Sequence, residues 1–436
     1  MVNLIKKTIP AAMRPEFPVF LSDRVPVAEL EQRDYTVLSA MRERGIGRVD
    51  EKETVHYCGL VYHPQNGAIF FLPREARTGK PNIDLKTASL TMRALARFGA
   101  ETSKRNFEDH GDAGNPSALS VIKRLADDFR DYGLFSERIR RQTVNAGKPN
   151  WARTVTREIP ILSNKEQPVY ANIRTSSAVN SRNALLAQIQ AAIIREIHNA
   201  HAWWLSGTSS RRQELLSCSH PPFPRTTWAS KLEALLPSLY SARSVKLAKY
   251  LRDYLRDTLK SSDGALVFGV SDFHTVWETM LRETLARSPK DTHRRWNAEL
   301  PKPVYITSDK GHRDPRRRGM QADIILEDDT GYTIVDAKYY EAKSASTAPG
   351  WDDIVKQIFY EKALREIVDK AGKPASVIRN IFVFPSKDGD GPLISSEIQH
   401  ADGSPTTNMF PPIACAYVAV RDVLDCYVAG SQDIAL

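Results

Sequence analysis

Along this 436-residue chain the spacing of apolar positions changes character twice. Over roughly the first 80 residues it is short-ranged and strand-like. Val55 to Leu60 and Ala68 to Leu72 are apolar runs rich in strand-forming residues. They flank His63-Pro64-Gln65-Asn66-Gly67, and Asn-Gly between two such runs is a strong hairpin signal. From 81 to 260 the period is helical. Leu85 to Phe98 keeps its apolar residues on one face, with Arg93 and Arg97 four apart on another. The stretch 101–117 is polar and holds Gly111, Gly114 and Pro116, which predicts a loop. A helix follows to Tyr132, striped by Leu119, Ile122, Leu125 and Phe129 and stopped at Gly133. Leu186, Ile189, Ile193 and Ile197 stripe a long helix over 181–205, and further helices are expected over 228–236 and 241–260.

Past the break at Ser261-Ser262-Asp263-Gly264 the two periods alternate. Phe273, Val276, Trp277, Met280 and Leu281 form the buried face of a helix. Ile324 to Leu326 and Tyr332 to Val335 are strand runs joined by the turn residues Asp329-Thr330-Gly331. A helix is predicted from Trp351 to Lys370 and strands over 377–385 and 414–420, with a Gly-, Pro- and Ser-rich surface insertion at 386–412. The sum is an α+β chain in three parts. A β-rich N-terminal module (1–80) for recognition or docking precedes a mainly helical middle region (81–260). A C-terminal domain (261–436) then has a mixed sheet flanked by helices.

Composition adds exclusions. A hydrophobic content of 42% and a charged content of 26% are those of a globular protein, and no apolar run is long enough to span a bilayer. Met1 to Pro10 lacks the apolar core of a secretory signal. Cys58, Cys218, Cys415 and Cys426 form no CxxC pair, which predicts a reduced, cytoplasmic protein without structural zinc. No GxxxxGK[ST] occurs, so a P-loop nucleotide site is not expected. The net charge of +9 favours a polyanionic partner, though a basic enzyme unconnected with nucleic acid would carry the same charge. The helices of 85–132 with Arg138, Arg140 and Arg141 would suit a winged-helix-like DNA reader, the plainer alternative being an ordinary helical linker domain with basic surface residues. His56 with His63, and His198 with His201, lack further ligands and read as structural. Ser217-Cys218-Ser219-His220 is too local for a nucleophile and its base.

The chemistry concentrates in the hairpin. Asp323 opens its first strand; Asp336 and Lys338 close its second. Asp336 and Lys338 are two apart and face the same way on a strand, and the hairpin brings Asp323 beside Asp336. Two adjacent carboxylates repel, and a divalent cation relieves the repulsion. Mg²⁺ suits such oxygen ligands, with Mn²⁺ as the alternative, because it binds one or two carboxylates and fills its other positions with water and phosphate. Lys338 would position water or stabilise charge on the phosphate. His312-Arg313-Asp314-Pro315-Arg316-Arg317-Arg318 lies just upstream, where Arg313, Arg316, Arg317 and Arg318 would hold backbone phosphate. The bland alternatives are an edge hairpin with solvated charges and a solvated basic loop.

Asp323, then Asp336-Ala337-Lys338, then a helix carrying Gln357 and Tyr360, resemble the PD-(D/E)xK nuclease superfamily. More closely, the chain resembles restriction endonucleases of the LlaJI family and the related McrC nuclease subunits. The stretch from Asn150-Trp151-Ala152-Arg153-Thr154-Val155 through Pro160 and Pro168-Val169-Tyr170 is also similar to the LlaJI family. The resemblance implies a PD-(D/E)xK-type core that hydrolyses DNA phosphodiesters in a restriction system. It implies Glu278 as a third metal carboxylate beside Asp323 and Asp336, and Gln357 as an assisting residue; on the residues alone, Glu278 would pair with Arg282 one turn on. It further implies double-stranded DNA, a separate McrB-like AAA+ GTPase or ATPase motor, and in some systems a methyltransferase as partners, with no membrane. The chain departs from the pattern in three places. Gln321-Ala322-Asp323 stands for Pro-Asp, His274 stands where relatives often have Glu, and Gln357 precedes Tyr360 by three residues where some relatives have four. The rival readings are a non-catalytic DNA-binding or assembly subunit and a repair or RNA-processing nuclease.

Overall fold

The computed structural model describes residues 18–33, 41, 47–50, 53–63, 67–109, 118–181, 184–205, 212–259, 266–285, 292–306, 313–315, 319–329, 331–372, 377–406 and 409–436. The chain folds as two compact units, Met1–Ser120 with Ser261–Leu436, and Val121–Lys260. No described helix is long and apolar enough to cross a membrane. The architecture is mixed α+β throughout.

The inserted unit, 121–260, is helical with a small sheet. Ala118–Tyr132 ends where expected, with Gly133 in the left-handed region (φ 73°) and its N–H bonded to Phe129 O. The stripe Leu186, Ile189, Ile193 and Ile197 of the helix Leu185–His201 is fully buried. The helices Trp228–Leu235 and Ala242–Leu259 pack together. One expectation is corrected here. The expected long helix begins only at Leu185, because Arg174–Ser181 is a strand that pairs antiparallel with Glu137–Val144. Residues 138, 140 and 141 lie on the latter strand. His201 is buried and accepts a hydrogen bond from Trp204 Nε1 at 3.1 Å; burial pushes its pKa down to about 4, the behaviour of a core histidine.

The other unit joins both ends of the chain. Val19–Ser22, Gly67–Leu72, Cys58–His63 and Leu266–Val270 form one sheet in that order, so three N-terminal strands share a sheet with a strand from the far side of the insertion. Its N-terminal part thus packs with 261–436 and is not a unit closing at residue 80. Pro81–Asp109 is a single helix. The polar stretch after Ala100 continues it because nothing before Gly111 interrupts the backbone ladder, which corrects the expected loop over 101–109.

The second sheet carries the candidate chemistry. Its order is Ile324–Asp328, Gly331–Ala337, Val377–Ser386, Ile413–Ala419 and Ser395–Ser396; the outer pairings are antiparallel and the two central ones parallel. The helix Trp351–Lys370 provides the crossover between Gly331–Ala337 and Val377–Ser386 that parallel strands require. Its Tyr360, Ala363, Leu364 and Val368 bury against Ile325, Tyr332 and Ile334 of the hairpin. The helix Phe273–Thr284 buries Phe273, Val276, Trp277, Met280 and Leu281 as its pattern predicts, and Trp277 lies 6.1 Å, centre to centre, from Tyr339.

Candidate functional site

The hairpin assembles the site because its polar residues continue the faces of its core residues. Ile325 and Ile334 face the helix Trp351–Lys370. Residues two apart share a face, so Asp323 lies on the face of Ile325, and Asp336 and then Lys338 on that of Ile334. The register pairs Ile324 with Val335, and one step further sets Asp323 opposite Asp336. Asp323 Oδ2 accepts a hydrogen bond from Ala337 N at 3.0 Å, holding the carboxylate against the second strand. The backbone leading into Asp323 is tied on several sides. Asn297 exchanges hydrogen bonds with Ala322, accepting from its N–H at 2.9 Å and donating to its carbonyl at 3.0 Å. The Tyr360 hydroxyl donates to Gln321 O, and Arg282 Nε donates to Asp323 O at 3.2 Å.

Asp336 is 3% exposed. Its Oδ2 lies 2.9 Å from Lys338 Nζ, an ion pair whose direction falls short of a hydrogen bond, so this buried oxygen has no hydrogen-bond donor. Lys338 Nζ donates instead to Asp353 Oδ1 at 2.6 Å. Burial pulls the Lys338 pKa down, but Asp336 and Asp353 outweigh it and the net shift is upward. Lys338 is therefore a cation at neutral pH and no general base. Burial pushes the Asp323 carboxyl up to about 7, aided by the neighbouring Asp336 and Glu278 and opposed by the Ala337 hydrogen bond.

Glu278, half-buried on Phe273–Thr284, makes no hydrogen bond or ion pair among the described residues, so the expected pairing with Arg282 does not form. Burial raises its pKa, His274 and Arg282 oppose, and Asp336 adds to the rise, which puts Glu278 within the field of the aspartate pair. Gln357 is 1% exposed, and its Oε1 has no hydrogen-bond partner. Arg316, Arg317 and Arg318 lie outside the described residues, as does the side chain of Arg313, whose backbone pairs with Ile306.

Two site residues escape the sequence reading: Asp353, which holds Lys338, and Lys356, whose Nζ lies 5.6 Å from the Tyr360 ring centre. They share a helix face with Gln357 and Tyr360, since Asp353 precedes Gln357 by one turn and Lys356 precedes Tyr360 by one turn.

The donor set is two carboxylates, one with an oxygen lacking any hydrogen-bond donor, beside a charged lysine. Among the described residues no group of three or more His, Cys, Asp or Glu is gathered closely enough to hold a metal by itself, so Glu278 does not join Asp323 and Asp336 in a three-carboxylate cluster. A carboxylate pair is the donor set that would fit a cation such as Mg²⁺, which takes one or two carboxylates and completes its shell with water and phosphate.

Residues 57–394, more than three-quarters of the chain, match the LlaJI restriction endonuclease family. The chain belongs to that family. This LlaJI-family chain is also 22% identical over 378 residues to the type II restriction enzyme BsuMI component YdjA of Bacillus subtilis (strain 168), covering 80% of this chain and 76% of that protein. A chain in the cryo-EM structure of the Thermococcus gammatolerans McrBC complex aligns with 61% of this chain and 85% of its own length, at 11% identity and a TM-score of 0.30, a likeness too distant to argue from. Family membership makes the chain a restriction-system nuclease by kinship.

Proposed function

We propose that this LlaJI-family chain is the metal-dependent DNA endonuclease subunit of a restriction system, with a PD-(D/E)xK-type core in its C-terminal sheet. The observation that carries the reading is the pairing of Asp323 and Asp336 across the hairpin, with a donor-free carboxylate oxygen and a charged lysine beside it. When bound, Mg²⁺ or Mn²⁺ would neutralise the carboxylate pair and acidify a water. Asp323 and Asp336 would hold that cation, and Glu278 would support it from the neighbouring helix. Lys338 remains protonated and lends positive charge where the phosphate becomes more negative. Gln357 is buried with an open carbonyl oxygen, which orients a water or a substrate-side donor. Arg313, Arg316, Arg317 and Arg318 contact backbone phosphates and carry no sequence preference of their own.

Double-stranded DNA is the substrate. The relative's description as a component supports a multi-subunit system. A McrB-like AAA+ motor would supply the nucleotide chemistry for which this sequence has no P-loop, and a methyltransferase would complete the system. The test is plasmid cleavage by the full chain with Mg²⁺, with and without the motor and a nucleotide. Wild type cleaves, while Asp336→Ala and Lys338→Ala lose cleavage by at least roughly 10²-fold. Equal cleavage by all three overturns the assignment, and DNA binding without cleavage under every condition favours an assembly subunit.

A further inference from the structure

Lys338 is fixed from two sides. Its Nζ is held between Asp336 Oδ2 at 2.9 Å and Asp353 Oδ1 at 2.6 Å, and its side chain is 12% exposed. A phosphodiester approaching this site meets Asp323, Asp336 and Asp353 with one ammonium already shared among carboxylates. The helix Trp351–Lys370 carries a further cation beside these groups. Lys356 stands one turn after Asp353, which touches Lys338, and one turn before Tyr360, whose hydroxyl bonds the carbonyl of Gln321 two residues ahead of Asp323. It is thus bracketed by contacts to both strand ends that carry the aspartates. The side chain is exposed, its Nζ lies 5.6 Å from the Tyr360 ring centre, and it makes no ion pair among the described residues.

We infer that Lys356 is the ammonium that grips a DNA phosphate at the Asp323–Asp336 pair, while Asp353 keeps Lys338 as a fixed counter-charge beneath it. The charges of Asp336 and Asp323 act on Lys356 and hold it protonated against its partial burial, which agrees with this position. The inference rests on the nuclease reading above.

The test compares full-length wild type, Lys356→Met, Lys356→Arg and Asp336→Asn. Binding to a short DNA duplex is measured in EDTA by fluorescence anisotropy across a salt series, and cleavage is measured with Mg²⁺ and, where needed, the motor. One phosphate contact contributes about 0.9 to the slope of log K against log salt. Lys356→Met is expected to lose about that amount whatever the duplex sequence, and to cleave roughly 10²-fold more slowly. Lys356→Arg is expected to restore the slope, and the exposed position leaves the melting temperature of both variants at the wild-type value. A wild-type slope and wild-type cleavage in Lys356→Met, with cleavage lost in Asp336→Asn, overturns the inference and leaves the nuclease reading standing. No cleavage by wild type under any condition removes the nuclease reading and this inference with it.

Discussion

Asp323 is held in a state that costs the fold. Burial and the neighbouring carboxylates raise its pKa from 3.8 to about 7, so the folded protein keeps a proton that the unfolded chain has released. Between these values the native state binds more protons than the unfolded state, and metal-free stability falls as pH rises from about 4 to about 7. Above that window both states are ionised and the penalty is complete. Asp323→Asn removes the charge and is expected to raise the melting temperature of EDTA-treated protein at pH 8 by a few degrees, and to flatten its slope between pH 4 and 7. Scanning calorimetry across that range checks this, and an unchanged profile in the variant contradicts it. Asp323, Asp336 and Lys338 were legible in the sequence because a two-residue strand period and a turn fix their faces. Asp353 and Lys356 were not, because a charged residue on an amphipathic helix looks the same whether it meets water or a buried lysine.

The elements around the site follow their patterns closely, and each exception has a physical cause. Trp351–Lys370 and the hairpin strands lie where periodicity and turn residues put them. Leu266–Val270 was missed because its partner, Cys58–His63, is some two hundred residues away and no local signal reports the pairing. That ladder needs Gly59 (φ 142°) opposite Gly269: a Cβ on Gly59 would sit 2.2 Å from Phe268 O. Gly331, which starts the second hairpin strand, has φ 151°, and a Cβ there would sit 2.0 Å from Val377 O. Gly331→Ala is therefore expected to destabilise the fold by more than about 2 kcal/mol in urea unfolding, since it combines backbone strain with a main-chain clash. A loss below about 0.5 kcal/mol would show that the adjoining strand yields freely.

At the scale of the whole chain, the unit that carries the site is discontinuous in sequence. A fragment of residues 261–436 lacks Cys58–His63, against which Leu266–Val270 pairs. It also lacks Arg74, whose N–H donates to the Tyr339 hydroxyl at 2.9 Å one residue beyond Lys338. The fragment is expected to show no cooperative unfolding transition by circular dichroism, and native-like cooperative melting would contradict this. The division of the sequence at residue 80 looked natural because the insertion hides the link between the N-terminal strands and the site.

The proposed divalent-cation site at Asp323 and Asp336 can be tested on this chain without DNA or a partner. Mn²⁺ is titrated into the full-length protein at pH 8, and free ion is counted by electron paramagnetic resonance. One site per chain is expected in wild type, lost in both Asp323→Asn and Asp336→Asn and weakened about tenfold at pH 6, where Asp323 holds its proton. A site that survives both substitutions with its affinity and pH dependence unchanged contradicts the proposal.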